Sequence, residues 1–165
     1  MAARFIVVGA DAAGMSAASE ARRVNPDMEI VAYDRGDFAS YSQCGLPYLI
    51  GGVVEDRQTL IARTVEEFAA RGIAVKLGHE VVGLDPVRRV VRVRLRNEGV
   101  TEHSYDKLLL ATGASPVPSS VPGFDLAGIF HLDVMEDALN LQAYLREHQP
   151  RRAAIVGGGY IGLEM

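Results

Sequence analysis

The chain has 165 residues, 48% of them hydrophobic and 23% charged, enough to bury one ordinary domain core. Its formal net charge of −4 gives no electrostatic case for nucleic acid, and its arginines are too scattered to form a binding patch. One cysteine excludes an internal disulfide and points to a reducing, cytoplasmic setting. No apolar run is long enough to span a bilayer, and Asp11 and flanking glycines break the N-terminal stretch as a signal peptide.

In chain order, Arg4 to Val8 reads as a buried strand bounded by Gly9, and Ala12 to Val24 as a helix stopped by Asn25 and Pro26. Glu29 to Tyr33 reads as a second strand, which makes a βαβ unit. Pro47 suits the first turn of a helix running to Ile50, with Gly51 and Gly52 ending it. Thr64 and Glu67 form a capping box for a helix to Arg71, stopped by Gly72. The period then changes. Ile73 to Leu77, Glu80 to Leu84, Val90 to Arg96 and Val100 to Tyr105 alternate as strands, with turns at Asp85-Pro86 and Asn97-Glu98-Gly99. The arginines at 92, 94 and 96 share one strand face, which reads as a solvated surface. Leu108 to Ala111 is a further strand, closed by Thr112-Gly113. Pro116, Pro118 and Pro122 mark a connector, and Asp133 is placed to cap a helix from Val134 to His148. Arg151 to Val156 begins a new strand, followed by a glycine turn and one helical turn at Met165. The chain is therefore expected to be a piece of a longer protein. The histidines at 79, 103, 131 and 148 form no metal-ligand pattern and read as surface or packing residues.

Two strand–glycine–helix turns stand out. Gly157, Gly159 and Gly162 fit G-x-G-x-x-G directly after an apolar strand. The first glycine permits the tight turn, the second a close backbone approach to a pyrophosphate, and the third helix–strand packing. The earlier turn runs from Gly9 through Ala10, Asp11, Ala12 and Ala13 to Gly14, with Asp11 where the middle glycine belongs. A carboxylate facing a pyrophosphate would repel it, so Asp11 must point elsewhere if a dinucleotide binds there. Asp34 ends the second strand where an acid holds ribose hydroxyls. The alternative is a tight turn without ligand. Two dinucleotide turns suggest two dinucleotides, flavin and nicotinamide, arranged as a hydride relay.

The stretch "SYSQCGLPY" holds Cys44 among polar neighbours just before a short helix, whose N-terminus favours a thiolate. The competing reading is a packed, inert cysteine. The segment "SYSQCGLPYLIGG", with "VEDRQTL", "YDKLLLATGASP" and "AAIVGGGYIGLE", resembles the single-cysteine flavoprotein disulfide reductases. That family includes coenzyme A disulfide reductases, NADH oxidases, NADH peroxidases and persulfide reductases, and the resemblance covers essentially the whole chain.

The resemblance implies an α/β fold: a Rossmann-like FAD-binding domain with parallel sheet and β-meander over residues 1–120. A connector with a helix would follow over 121–150, then the start of a second, NAD(P)-binding Rossmann-like domain over 151–165. Gly9, Ala10, Ala12, Ala13 and Gly14 would carry the FAD pyrophosphate, Asp34 and Arg35 the ribose end, and the Val81 backbone the adenine. Ala111, Thr112 and Gly113 would lie against the cofactor, and Gly157, Gly159 and Gly162 would bind NAD(P)H. Cys44 would face the flavin and carry the redox chemistry, with coenzyme A held as a mixed disulfide. Ser16, Arg23, Ser40 and Gln43 would line the coenzyme A channel; apart from the resemblance, Arg23 reads equally as a solvated helix-end charge. Family oxidases and peroxidases carry His within the first glycine turn, where this chain has Ala12. Two residues depart from the coenzyme A branch: Glu20 stands where it has an uncharged amide, and Gln43 replaces a shorter Asn. The expected activity is NAD(P)H-dependent reduction of coenzyme A disulfide or persulfide, with a small-molecule substrate and a homodimer for the full-length protein. The rivals are an NADH oxidase or peroxidase cycling Cys44 through sulfenic acid, and a flavin electron-transfer reductase with a structural Cys44.

Overall fold

The computed structural model describes residues 2–96, 98–117 and 120–165; Asn97 of the expected turn and Pro118 of the expected connector lie outside them. The chain forms two compact units, residues 1–41 with 61–113 and residues 42–60 with 114–165.

The first unit is built on a four-stranded parallel sheet in the order β3-β2-β1-β7. Its strands are β1 (Arg4–Val8), β2 (Glu29–Tyr33), β3 (Ile73–Lys76) and β7 (Lys107–Leu110). Helix α1 (Ala12–Val24) crosses from β1 to β2, and α3 (Val65–Ala70) leads into β3. Thr64 and Glu67 form the expected capping box on α3: Glu67 N–H donates to Thr64 Oγ1 at 3.2 Å, and Thr64 N–H donates to Glu67 Oε2 at 2.8 Å.

Strand alternation divides the sheet's side chains between two cores. Val7, Ile30, Ala32, Ile73 and Val75 join Met15 and Ala18 of α1 and Phe68 of α3. Ile6, Val8, Val31 and Tyr33 point to the other face and meet Val91 and Val93. A parallel sheet covered on both faces needs continuous apolar strands, which is why β1 and β2 show little polar alternation. The second cover is an antiparallel meander of β4 (His79–Asp85), β5 (Val90–Leu95) and β6 (Val100–Ser104). Its central strand, β5, does alternate, because only one of its faces is buried. Arg92 and Arg94 are exposed between buried Val91 and Val93, and Arg94 pairs with Glu80 while Arg96 pairs with Asp37. The arginine face is thus solvated and ion-paired.

The second unit holds a 3-10 turn at Gln43–Gly45, α2 (Leu46–Ile50), a second 3-10 turn at Arg57–Leu60, α4 (Met135–His148) and α5 (Tyr160–Glu164). Leu46 and Leu49 of α2 and Met135 and Ala138 of α4 are buried, and Gln142 Nε2 donates to Leu49 O at 2.9 Å. Asp56 opens the second 3-10 turn, its Oδ1 accepting Gln58 N–H at 2.9 Å.

Two expectations need correction here. Asp133 does not cap α4; Asp137 reaches back instead, its Oδ2 accepting the N–H groups of Asp133 and Val134 at 3.0 and 3.1 Å. Residues 151–156 form no strand. An apolar run becomes a strand only with a hydrogen-bonding neighbour, and it has none among the described residues.

Candidate functional site

In the first unit the sequence-predicted cofactor residues converge at the carboxyl ends of β1, β2 and β7, where open α/β sheets bind ligands. Gly9 N–H donates to Tyr33 O at 2.8 Å, and Ala111 N–H donates to Val8 O at 2.8 Å. Gly9 has φ +105°, and a Cβ there would come within 2.1 Å of Ala111 O. A Cβ on Gly14 would come within 1.9 Å of Gly9 O. Both positions therefore require glycine, one for the turn and one for seating α1 against the strand end. Thr112 and Gly113 follow as exposed residues, Gly113 at φ +67°.

Asp34 anchors the other side of the turn. Its Oδ2 accepts Ala10 N–H at 2.7 Å and its Oδ1 accepts Gly36 N–H at 2.8 Å. Arg35 beside it is exposed, and its carbonyl accepts from Arg96 Nη2. His79 N–H donates to Asp34 O at 2.8 Å, so β4 begins at this strand end. Val81 lies two residues further on, beside a bulge in the β4–β5 ladder.

These residues fit a dinucleotide. The opening turn of α1, a helix of 13 residues, carries no acidic side chain, and its Ala12 and Ala13 are exposed. The N–H groups there can meet a pyrophosphate. Asp11, the misfit of the glycine pattern, is directed elsewhere: its Oδ1 accepts Tyr41 N–H at 3.1 Å. Burial pushes the Asp11 carboxyl above its ordinary pKa. The N–H groups of Tyr41 and Ala12 pull it down, and the Asp34 charge adds to the rise.

Ser16, Glu20 and Arg23 form one exposed stripe on α1, at spacings of four and three. Arg23 and Glu20 make a bidentate ion pair, with Arg23 Nε donating to Glu20 Oε2 at 2.9 Å and Nη2 to Oε1. This hydrogen bond holds the Glu20 carboxyl below its usual pKa and raises that of Arg23. The i,i+3 spacing was the signal for this pair. Ser40, also in the first unit, sits at φ +48°.

In the second unit Cys44 is exposed and lies in the 3-10 turn with Gln43. Ser42 N–H donates to Leu60 O at 2.8 Å, which closes the segment, and Leu60 packs over Gly45. Helix α2 is only five residues long and supplies few aligned peptide dipoles to the thiol. The 3-10 turn and this closure were missed in the sequence.

The second glycine turn repeats the local form of the first. Gly157 has φ +115°, and a Cβ on Gly162 would meet Gly157 O at 2.4 Å. Gly159 is the N-cap of α5, which is exposed and has five residues. Three of the four histidines pack on aromatic rings, and His131 is exposed. His79 and His103 flank the Tyr33 ring at 6.0 and 5.4 Å between centroids, and His148 stacks on Tyr144 at 4.1 Å. No helix among the described residues is long and apolar enough to cross a membrane.

The family model described as pyridine nucleotide-disulphide oxidoreductase matches residues 3–165. The chain is 39% identical over 165 residues to a coenzyme A disulfide reductase of Staphylococcus haemolyticus, covering 98% of this chain and 37% of the relative. It is 35% identical over 163 residues to an NADH oxidase of Methanocaldococcus jannaschii, covering 98% and 36%. Among solved structures, reduced Bacillus anthracis CoADR-RHD superimposes with a TM-score of 0.95 at 36% identity, covering all of this chain and 30% of that one. The chain thus spans about a third of the length of each of these proteins.

Proposed function

The chain belongs to the pyridine nucleotide-disulphide oxidoreductase family, and from that premise we propose that it is part of an FAD-dependent NAD(P)H oxidoreductase that reduces coenzyme A disulfide or coenzyme A persulfide through Cys44. The observation that carries this reading is the exposed Cys44, the one thiol of the chain, in a polar turn rather than a packed core. A thiol with no partner cysteine and free access can take its partner from solution.

Gly9, Ala10, Ala12, Ala13 and Gly14 would hold the FAD pyrophosphate, Asp34 and Arg35 the ribose end, and Ala111, Thr112 and Gly113 would lie against the cofactor. FAD, when bound, supplies acceptance of a hydride from NAD(P)H and passage of two electrons to sulfur. Cys44 would rest as a mixed disulfide with coenzyme A. Two electrons break that S–S bond; coenzyme A leaves as a thiol after taking a proton, and Cys44 is left as thiolate. The thiolate attacks one sulfur of an incoming coenzyme A disulfide. A new S–S bond forms, and the second coenzyme A leaves. Per cycle, one NAD(P)H and one proton convert one disulfide into two thiols.

Arg23 would meet a coenzyme A phosphate as a guanidinium fork. Its pairing with Glu20 means the phosphate competes with a carboxylate already in place. Ser16, Ser40 and Gln43 would line the same channel. Ala12, standing where family oxidases and peroxidases carry His, favours this reading over sulfenic acid chemistry.

Intact mass of the unreduced full-length protein tests the reading. An adduct of coenzyme A mass on Cys44, removed by dithiothreitol, is the expected result. A single added oxygen on Cys44 would favour the oxidase or peroxidase reading instead.

A further inference from the structure

Asp11 replaces the middle glycine of the first turn, yet its side chain serves a distant segment. Its Oδ1 accepts Tyr41 N–H at 3.1 Å, across 30 positions of sequence. The adjacent Ala10 O accepts Ser40 N–H at 2.9 Å. Tyr41 in turn forms an antiparallel bridge with Ile61, and Ala62 N–H donates to Ser40 O at 2.7 Å. The glycine turn therefore holds residues 40 and 41, and these hold 61 and 62. All the chain between, Cys44 included, leaves and returns through this single bridged contact.

Ser40 shows that the junction is held under strain. At φ +48° it is in the left-handed region, which costs a non-glycine residue about 1 kcal/mol or more unless its surroundings enforce it. Both its N–H and its carbonyl are engaged, and Asp11 engages the next N–H. A glycine at position 11, which the regular pattern would have, offers no acceptor for Tyr41.

We propose that Asp11 is a positioning residue for Cys44: its carboxylate fixes the backbone of Tyr41 and so the root of the segment that bears the thiol. This rests on the reading of Cys44 as the redox thiol. It makes the departure from the glycine pattern functional, because the turn suited to the dinucleotide and the root of the cysteine segment become one hydrogen-bonded body.

The test uses the full-length holoenzyme with Asp11→Ala, Asp11→Asn and Cys44→Ser. Hydrogen exchange of the peptide covering Ser40 to Cys44, FAD content, the rate of flavin reduction by NADH or NADPH, and kcat and KM for coenzyme A disulfide are measured. In Asp11→Ala, exchange of that peptide rises and kcat falls, each by about three- to tenfold, the worth of one hydrogen bond. FAD content and flavin reduction stay within about twofold of wild type. Asn keeps the Oδ1 acceptor, so Asp11→Asn restores exchange and kcat. The proposal is overturned if Asp11→Ala exchanges and turns over like wild type, if Asn fails as Ala does, or if Ala loses FAD. Wild-type turnover by Cys44→Ser would instead sink the reading of Cys44, and this proposal with it.

Discussion

Gly9 and Gly157 stand at φ +105° and +115°, and in each turn the last glycine lies against the carbonyl of the first. Their surroundings differ. β1 runs into the first turn between β2 and β7, and a Cβ on Gly9 would strike Ala111 O at 2.1 Å. No strand precedes the second turn, and a Cβ on Gly157 would meet nothing within 4 Å. The local pattern of glycines is enough to shape the turn. Neighbouring strands are what pin it and make substitution costly.

That contrast can be broken by experiment. The largest effect is expected at Gly9. In this chain with FAD, Gly9→Ala combines a forbidden φ with a backbone collision, for about 2–6 kcal/mol and loss of bound flavin. Gly157→Ala meets the same unfavourable φ without the collision and should cost about 1–2 kcal/mol, less than Gly9→Ala. Urea unfolding and flavin content measure both; equal costs would show that the second turn is pinned as firmly as the first.

The strands give the next effect. Ile6 in β1 is fully buried, whereas Ile155, in the apolar run before the second turn, is 54% exposed. Ile6→Ala should cost about 2–5 kcal/mol and Ile155→Ala within about 0.5 kcal/mol. A smaller effect sharpens the picture of how the first unit covers its sheet. Burial, then the charge of Arg4 and the nearby His79, hold the His103 imidazole below its ordinary pKa. A group with a depressed folded pKa stabilises the fold above its unfolded value and loses that contribution as pH falls through the folded one. Acidification from pH 7 should therefore lower Tm through this site, and His103→Gln should flatten part of the slope. An unchanged slope would remove His103 from the account. Smallest of all, Glu20→Gln should lower KM for coenzyme A disulfide about two- to threefold by freeing Arg23. A raised KM would show that the pair, not Arg23 alone, meets the substrate.

The elements of the first unit were legible because each carries a local signal. Arg4–Val8, Ala12–Val24 and Glu29–Tyr33 coincide with their expected bounds, and the meander strands agree within one residue at each end. Periodicity and capping residues act over a few positions, which a sequence displays directly. The contacts that decide the candidate site do not. The bond from Tyr41 to Asp11 and the bridge from Tyr41 to Ile61 join single residues across long gaps and leave no repeating pattern. Asp11 was visible as a misfit, and the need for it to point away was deducible from charge. Its destination was not. The expected strand at 151–156 failed for the complementary reason: apolar sequence states a capacity for pairing, and pairing needs a second strand.

The central claim is that Cys44 carries the electrons out of the protein. The most direct measurement follows both half-reactions of full-length Cys44→Ser under anaerobic conditions. NAD(P)H should still bleach the bound flavin at close to the wild-type rate, while reduction of coenzyme A disulfide falls by about a thousandfold or more. Disulfide reduction at the wild-type rate would contradict the claim.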